Sequence, residues 1–401
     1  MTTSLFIEPL DVLFLRGNKL FGDPGSFGEA LIPPWPSVVA GAIRSRMLAD
    51  AHLDWNPARK GQPVDAHPQL GTPDAPGSFA ITAFHLARRH VDGRVEALLQ
   101  PPADLVIVED DQGKPSVRAL APTALPHAAG GLQCSAPFAL LPVLAERERR
   151  KPASGYWLAE AGWRQYLAGR APEPAQLVKS SALWAIDPRI GVGLDAASGR
   201  ASDGRLFSVQ AIAMKKRGEH IDIDSQSGKA VPAGYDVGFL ASVAGAEPPT
   251  DGLLRLGGDG RAAAIYRTAD CHLPEPDYGA IAAARRCRLV LATPGIFEDG
   301  WLPTGIIQAD GEFSLDLHGV KGRLVCAAVP RAEVISGWDL ARWQPKPALR
   351  AVAAGAVYWL DQLDTTPEAL RKLAETGLWR EPCQDAARRA EGFNRIAIAA
   401  Y

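Results

Sequence analysis

Hydrophobic and polar positions divide the chain into short patterned runs punctuated by glycine and proline. Residues 5–15 are apolar and β-rich, broken only by Glu8, Pro9 and Asp11, and predict a buried strand. A helix is predicted from Pro36 to about residue 50. Pro36 sits in its first turn with Ser37 nearby, and Val39, Ala42, Ile43 and Met47 form an apolar stripe at helical spacing. Between them, residues 16–34 form a loop holding Gly17, Gly22, Gly25 and Gly28 among Arg16, Lys19, Phe21 and Phe27. A strand, a glycine-rich loop with charge and aromatics, and a helix make a ligand-facing unit or an ordinary surface excursion.

Further along, residues 52–77 are rich in proline, glycine and polar residues and read as a loop insertion. Strands are predicted at 79–89 and 95–99, joined by the hairpin signal Asp92-Gly93, and at 104–109. A helix is predicted over 157–167, ending at Gly169. A connection over 170–176 puts the domain boundary near residue 180, giving domains 1–180 and 181–401. In the second half, strands are expected at 183–186, 205–214, 239–244, 253–256, 263–266, 323–329 and 356–360. Cys287, Leu289 and Leu291 alternate with Arg288, Val290 and Ala292 in another. A helix capped by Thr366, with Pro367 in its first turn and Gly377 as its stop, precedes a last strand carrying Ile396 and Ile398. Strands that outnumber helices in both halves predict an α+β fold on antiparallel sheets.

Composition narrows the picture. A length of 401 residues favours two domains, and the 47% apolar fraction supports substantial cores. With a net charge of −2, phosphate contacts must come from local patches. Cys134, Cys271, Cys287, Cys326 and Cys383 are scattered without a CxxC pair, so neither a zinc site nor a disulfide framework is indicated and a reducing compartment fits. No run approaches ~18 apolar residues. Glu8 and Asp11 fall where the apolar core of a signal peptide would lie. A cytoplasmic protein without a membrane span is expected.

The candidate chemistry is mostly exclusion. There is no GxSxG elbow, Walker A sequence or HExxH. Gly191 and Gly193 form an incomplete dinucleotide fingerprint with no helix pattern after them. His85 and His90, five positions apart on one predicted strand, point to opposite faces. Asp222 and Asp224 share a strand face, which is a weak Mg²⁺ signal, and Glu109-Asp110-Asp111 before Gly113 caps a solvated turn. Neither a metal nor a cofactor is expected. Arg46 lies beside the stripe of the first helix, either as a core-edge arginine paired with a carboxylate or aimed at phosphate; Arg44 sits on the flank. The triplet Lys215-Lys216-Arg217 is a solvated strand end or a phosphate contact.

Four segments together resemble the Cmr-module RAMP family of type III-B CRISPR systems, specifically the subunit holding the 5′ handle of the guide RNA. They are EPLDVLFLRGNKLFG leading to PPWPSVVAGAIRS, then PRIGVGLDAASGRASDGRLF, TPGIFEDGWLP and ISGWDLARWQPKPALRAVAAGAVYW. Their order and spacing span most of the chain. The resemblance implies two ferredoxin-like (RRM-like) RAMP domains with antiparallel sheets facing a cleft. It also implies assembly with the large polymerase/cyclase-like subunit and the backbone RAMP subunits, and RNA binding without catalysis. The chain departs from the family at Gly17 and Leu20, and its terminal glycine-rich loop keeps one glycine, Gly392.

Single-stranded RNA is held by Arg and Lys on phosphates, backbone amides in glycine turns, and aromatic rings under bases. The first loop supplies all three, through Arg16 and Lys19, Gly17 and Gly22, and Phe21. The last supplies Gly392, Phe393, Asn394 and Arg395. Arg44 and Arg46 on the helix, and Lys215, Lys216 and Arg217 at the strand end, complete the expected RNA contacts. Two other readings stay open: a RAMP-type endoribonuclease that processes precursor guide RNA, and a scaffold that binds only proteins.

Overall fold

The computed structural model describes residues 2–17, 27–28, 30–124, 137–138, 140–146, 150–195, 197–218, 221–223, 230–232, 234–268 and 273–401. They fall into two compact units. One is drawn from 1–96, 180–271 and 334–349, the other from 97–179, 272–333 and 350–401. The chain passes between units at residue 180 and at four other points, so the units interleave in sequence instead of forming consecutive halves 1–180 and 181–401.

The first unit is built on a six-stranded sheet. Strand β1 (Thr2–Pro9) leads to helix α1 (Pro36–Asp50), then β2 (Ala80–His90) and β3 (Val95–Leu98). A long hairpin of β4 (Trp184–Leu194) and β5 (Ala201–Met214) follows, then β6 (Tyr235–Ala244), β7 (Leu253–Arg255) and β8 (Ala262–Arg267). The sheet order is β7-β8-β1-β6-β2-β3, with β1 antiparallel to both neighbours and β6 antiparallel to β2. Residues directly opposite across strands share a face. On one face Leu5, Ala241 and Phe84 line up, as do Ile7, Phe239 and Leu86, and all are apolar. Helix α1 packs on this sheet and buries Val39, Ala40, Ile43 and Met47, so an apolar helix stripe meets an apolar sheet face. Val39, Ile43 and Met47 each contribute about 1.5–3 kcal/mol on burial. The other face carries Ser4 bonded to Ser242 at 3.0 Å, then Phe6 beside Leu240 and His85, and Glu8 at its end.

The second unit has its own six-stranded sheet, from β9 (Cys287–Leu291), β10 (Ile306–Ala309), β11 (Glu312–Leu317), β12 (Val320–Ala328), β13 (Val357–Asp364) and β14 (Ile396–Ala399). The order is β10-β11-β12-β13-β9-β14, antiparallel throughout. Helices α2 (Glu160–Leu167) and α3 (Pro367–Thr376) belong here. As the sequence predicts, the Thr366 hydroxyl accepts from the Ala369 amide to cap α3. Its stop, Gly377, has φ 76°, and an added Cβ would lie 2.5 Å from the Asn394 carbonyl oxygen. Only glycine satisfies both demands.

On β9, Cys287, Leu289 and Leu291 enter the core, as their alternation predicts, while Arg288 turns to the other face. There Arg288 binds Asp104 at 2.7 Å, donates to the Tyr166 and Ala400 carbonyls, and stacks 4.1 Å from the Tyr166 ring centroid. The Tyr166 hydroxyl donates to Asp104 at 2.9 Å. Asp104 is fully buried; burial pushes its carboxyl pKa up, against the lowering pull of Arg288 and Tyr166.

Three expectations need correction. The predicted strand 5–15 ends at Pro9, because Asp11 turns back to accept from the Val12 amide at 2.7 Å. Residues 157–167 are not one helix, since Tyr156–Leu158 pairs as a strand with Leu177–Lys179 before α2 begins. Residues 184–214, expected as two short strands around an irregular segment, form one hairpin, in which Gly191 leaves room for the Phe207 ring opposite. The predicted Asp92-Gly93 turn is present, with Gly93 at φ 84°.

Removing one partner of a buried ion pair strands the other charge. Arg288→Met is expected to destabilise the protein by about 3–5 kcal/mol. Arg288→Met combined with Asp104→Leu should recover part of that loss in denaturant unfolding.

Candidate nucleic-acid interface

The first candidate loop has a pinned neck. Val12, Leu13, Phe14 and Leu15 are buried, and Leu13 exchanges 2.9 Å backbone bonds with Ile212 of β5. The Phe14 carbonyl accepts from Gly258 at 2.8 Å. Across the neck, the Leu31 amide donates to the Leu15 carbonyl at 2.8 Å and Arg16 bridges Ala30. The Ala30 amide donates to Gln210 Oε1 at 3.1 Å, and Phe27–Gly28 runs parallel to Ser208–Val209. Four buried apolar residues therefore end in an exposed Arg16 followed by Gly17. Lys19, Leu20, Phe21 and Gly22 lie outside the described residues, as do Asp224 and the Asp222 side chain.

Other expected contacts are engaged in folding. Arg46 pairs with Asp50 at 2.7 Å and donates to the Leu253 carbonyl, the core-edge role that its position beside the stripe allows. The Arg44 guanidinium lies 5.0 Å from the Phe79 ring centroid, so it packs on the protein and does not simply point into solvent. Lys216 binds Glu8 at 2.9 Å and also the Pro9 carbonyl. Arg217 binds Asp236 at 2.9 Å. Lys215 is half-buried, its backbone bonded to Leu183 and Val237. The triplet is thus clamped onto the sheet by two carboxylates that no local pattern places beside it.

The last loop is a correction. Phe393 and Asn394 have 0% exposure, and Gly392 and Arg395 are buried as well. Asn394, in the left-handed region at φ 60°, donates to the Ile296 and Leu378 carbonyls and accepts from the Ile296 amide at 2.6 Å. Thr293 Oγ1 donates to the Gly392 carbonyl at 2.8 Å and accepts from the Arg395 amide at 3.0 Å. Burial pulls the Arg395 guanidinium down to about 10. Gly392, Phe393, Asn394 and Arg395 fold the second unit, and a ring this deep cannot stack on a base.

The family model described as CRISPR-associated protein (Cas_Cmr3) matches residues 5–400. The chain belongs to the Cas_Cmr3 family. It is a Cmr-module CRISPR protein, in line with the resemblance carried by the four sequence segments. A search of curated proteins finds no match. Among solved structures, the chain is similar to a chain of "Cryo-EM structure of the Type III-B Cmr-beta bound to cognate target RNA". That similarity has 12% identity and a TM-score of 0.41 over 89% of this chain and 86% of that one. A chain of the same complex bound to cognate target RNA and AMPPnP, state 1, has 12% identity and a TM-score of 0.41, over 92% and 88%. Among the described residues, no helix is long and apolar enough to cross a membrane.

In this Cas_Cmr3 chain, an exposed aromatic pair that the sequence did not point to lies in the SGWD segment. Trp338–Asp339 pairs with Gln344–Pro345 in a tight hairpin, and Trp338 and Trp343 are 48% and 56% exposed. The motif was legible as a family mark; the packing of Trp343 against Arg59 from the 52–77 insertion was not.

The histidines expected on opposite faces have different environments. Burial lowers His85 to about 4, keeping it neutral. His90 sits 3.3 Å from Glu96, which Arg88 also binds at 2.7 Å. Burial pushes Glu96 up, but His90 and Arg88 outweigh it and hold the carboxyl at about 2, against 4.5 ordinarily. A depressed carboxyl adds stability that is present above the ordinary value and lost as pH falls through the folded one. The Cas_Cmr3 chain should therefore lose melting temperature between about pH 4.5 and 2 more steeply than its Glu96→Gln variant. Parallel thermal-melt profiles over that window check this.

Proposed function

We propose that this Cas_Cmr3 chain is a non-catalytic RNA-binding subunit of a type III-B effector complex. In this reading it anchors the 5′ handle of the guide RNA and docks the large polymerase/cyclase-like subunit and the backbone RAMP subunits. The observation that carries it is the neck of the first loop. Bonds to Ile212, Gln210 and Leu31 hold the backbone on both sides, and the chain leaves this frame at an exposed Arg16 followed by Gly17. A fixed frame presenting a cation and a glycine suits close approach of a phosphate backbone. The sequence continues into Lys19 and Phe21, adding a second cation and a ring.

Both units are read as ferredoxin-like, each retaining one helix of the usual pair. In the first unit the order β8-β1-β6-β2 places the fourth, first, third and second strands side by side, with α1 after the first. In the second, β14-β9-β13-β12 repeats that order, with α3 before the fourth. The non-catalytic part draws support from the described histidines near the first sheet: His85 is buried and neutral, and His90 is engaged by Glu96.

The test is handle-RNA binding by the reconstituted complex with Arg16→Ala and Lys19→Ala together. Affinity should fall, and the slope of log affinity against log salt should lessen by about 0.7 for each phosphate that is no longer neutralised. Unchanged affinity and slope would remove this loop from the site. Metal-independent cleavage of repeat RNA at one position by the purified chain would favour the endoribonuclease reading instead.

A further inference from the structure

We propose that the Trp338–Trp343 hairpin is a second nucleic-acid site, a stacking platform for an unpaired base of single-stranded RNA. The proposal rests on the RNA-binding reading above but uses different residues. The hairpin is rigidly built. Asp339 Oδ1 accepts from the Arg342 amide at 3.0 Å, and Asp339 also pairs with the Arg342 guanidinium at 3.1 Å. Arg342 reaches Asp74 as well, tying the hairpin to the 52–77 insertion. At its base, Ser336 Oγ donates to the Lys346 carbonyl at 2.9 Å, and the Lys346 amide donates to Gly337 at 2.8 Å.

This framework holds two large rings in the open. The indoles of Trp338 and Trp343 meet edge to face, 5.7 Å apart at 87°. Arg59 lies 4.0 Å from the Trp343 ring centroid. Trp343 itself has φ 56°, a left-handed conformation that a bulky residue seldom adopts unless its surroundings impose it. Strain spent on an indole that stays more than half exposed points to a ligand.

The chemistry selects a base over a protein surface. A base offers a flat π-face to an indole, and guanidinium planes extend such stacks. Arg342 is already paired to two carboxylates, so the platform offers planar surface more than net charge. Binding here should be tolerant of sequence, because every base has a π-face, and the two rings should add little to the salt slope, which comes from cations on phosphates.

The experiment uses the full chain and a fluorescent eight-nucleotide single-stranded RNA, read by anisotropy across a salt series. Trp343→Ala and Trp338→Ala are each expected to weaken binding roughly 5- to 100-fold with the salt slope unchanged. Trp343→Phe should restore most of the affinity, and a blunt RNA duplex should show no difference between variants. Thermal melting confirms that the exposed substitutions leave the fold intact. Arg16→Ala with Lys19→Ala, measured alongside, should lower affinity and slope together. If that double variant loses binding while the tryptophan variants do not, the platform is overturned and the first-loop reading stands. Loss of complex assembly by the tryptophan variants, with RNA affinity unchanged, would make the hairpin a protein-docking site and overturn the proposal equally.

Discussion

The constraint on which the first unit most depends is the pairing of two carboxylates, Glu8 and Asp236, with three cations at one end of its sheet. Arg89 reaches both, at 2.6 and 3.4 Å, and lies 4.0 Å from the Tyr266 ring centroid and 5.0 Å from that of Phe6. Lys216 takes Glu8 and Arg217 takes Asp236. These bonds fasten the end of the β4–β5 hairpin to the strands β1, β2 and β6. They are shielded enough to matter, since Glu8 and Asp236 are buried. Removing Glu8 would leave Lys216 without its carboxylate, removing Asp236 would do the same to Arg217, and either loss would leave Arg89 with one, so the cluster works as a unit.

That cluster also takes up cations that a ligand could otherwise use. Basic residues in a chain of net charge −2 are divided between holding the fold and meeting a partner. Lys216, Arg217, Arg46, Arg89 and Arg288 are on the folding side, each with a carboxylate. Arg16 is exposed and pairs in a β-bridge with Ala30, where the backbone on either side is fixed by bonds to Ile212, Gln210 and Leu31. In the proposed RNA-binding role, fixing the backbone beforehand lowers the ordering cost of each contact.

Much of the fold was legible because the signals were local. The α1 stripe, the Thr366 cap with Pro367 and Gly377, the Asp92-Gly93 hairpin and the alternation at Cys287, Leu289 and Leu291 all sit within a few residues of one another. What was not legible depended on distant partners. Glu8 and Lys216 are 208 positions apart, and nothing near either announces the other. Phe393 and Asn394 look like a ligand loop in sequence, yet the carbonyls of Ile296 and Leu378 draw Asn394 into the core. The interleaving of the two units has the same origin, since each sheet takes strands from widely separated segments. Trp343 shows the opposite case, a residue type that commonly reads as core yet is more than half exposed.

The central claim is that this chain touches the guide RNA handle directly. The most direct measurement is photocrosslinking in the reconstituted complex, with 4-thiouridine placed at successive handle positions and adducts mapped by peptide mass spectrometry. The account predicts adducts on this chain within the segment that begins at Arg16 and returns at Ala30. Adducts confined to neighbouring subunits, with none on this chain at any handle position, would contradict it.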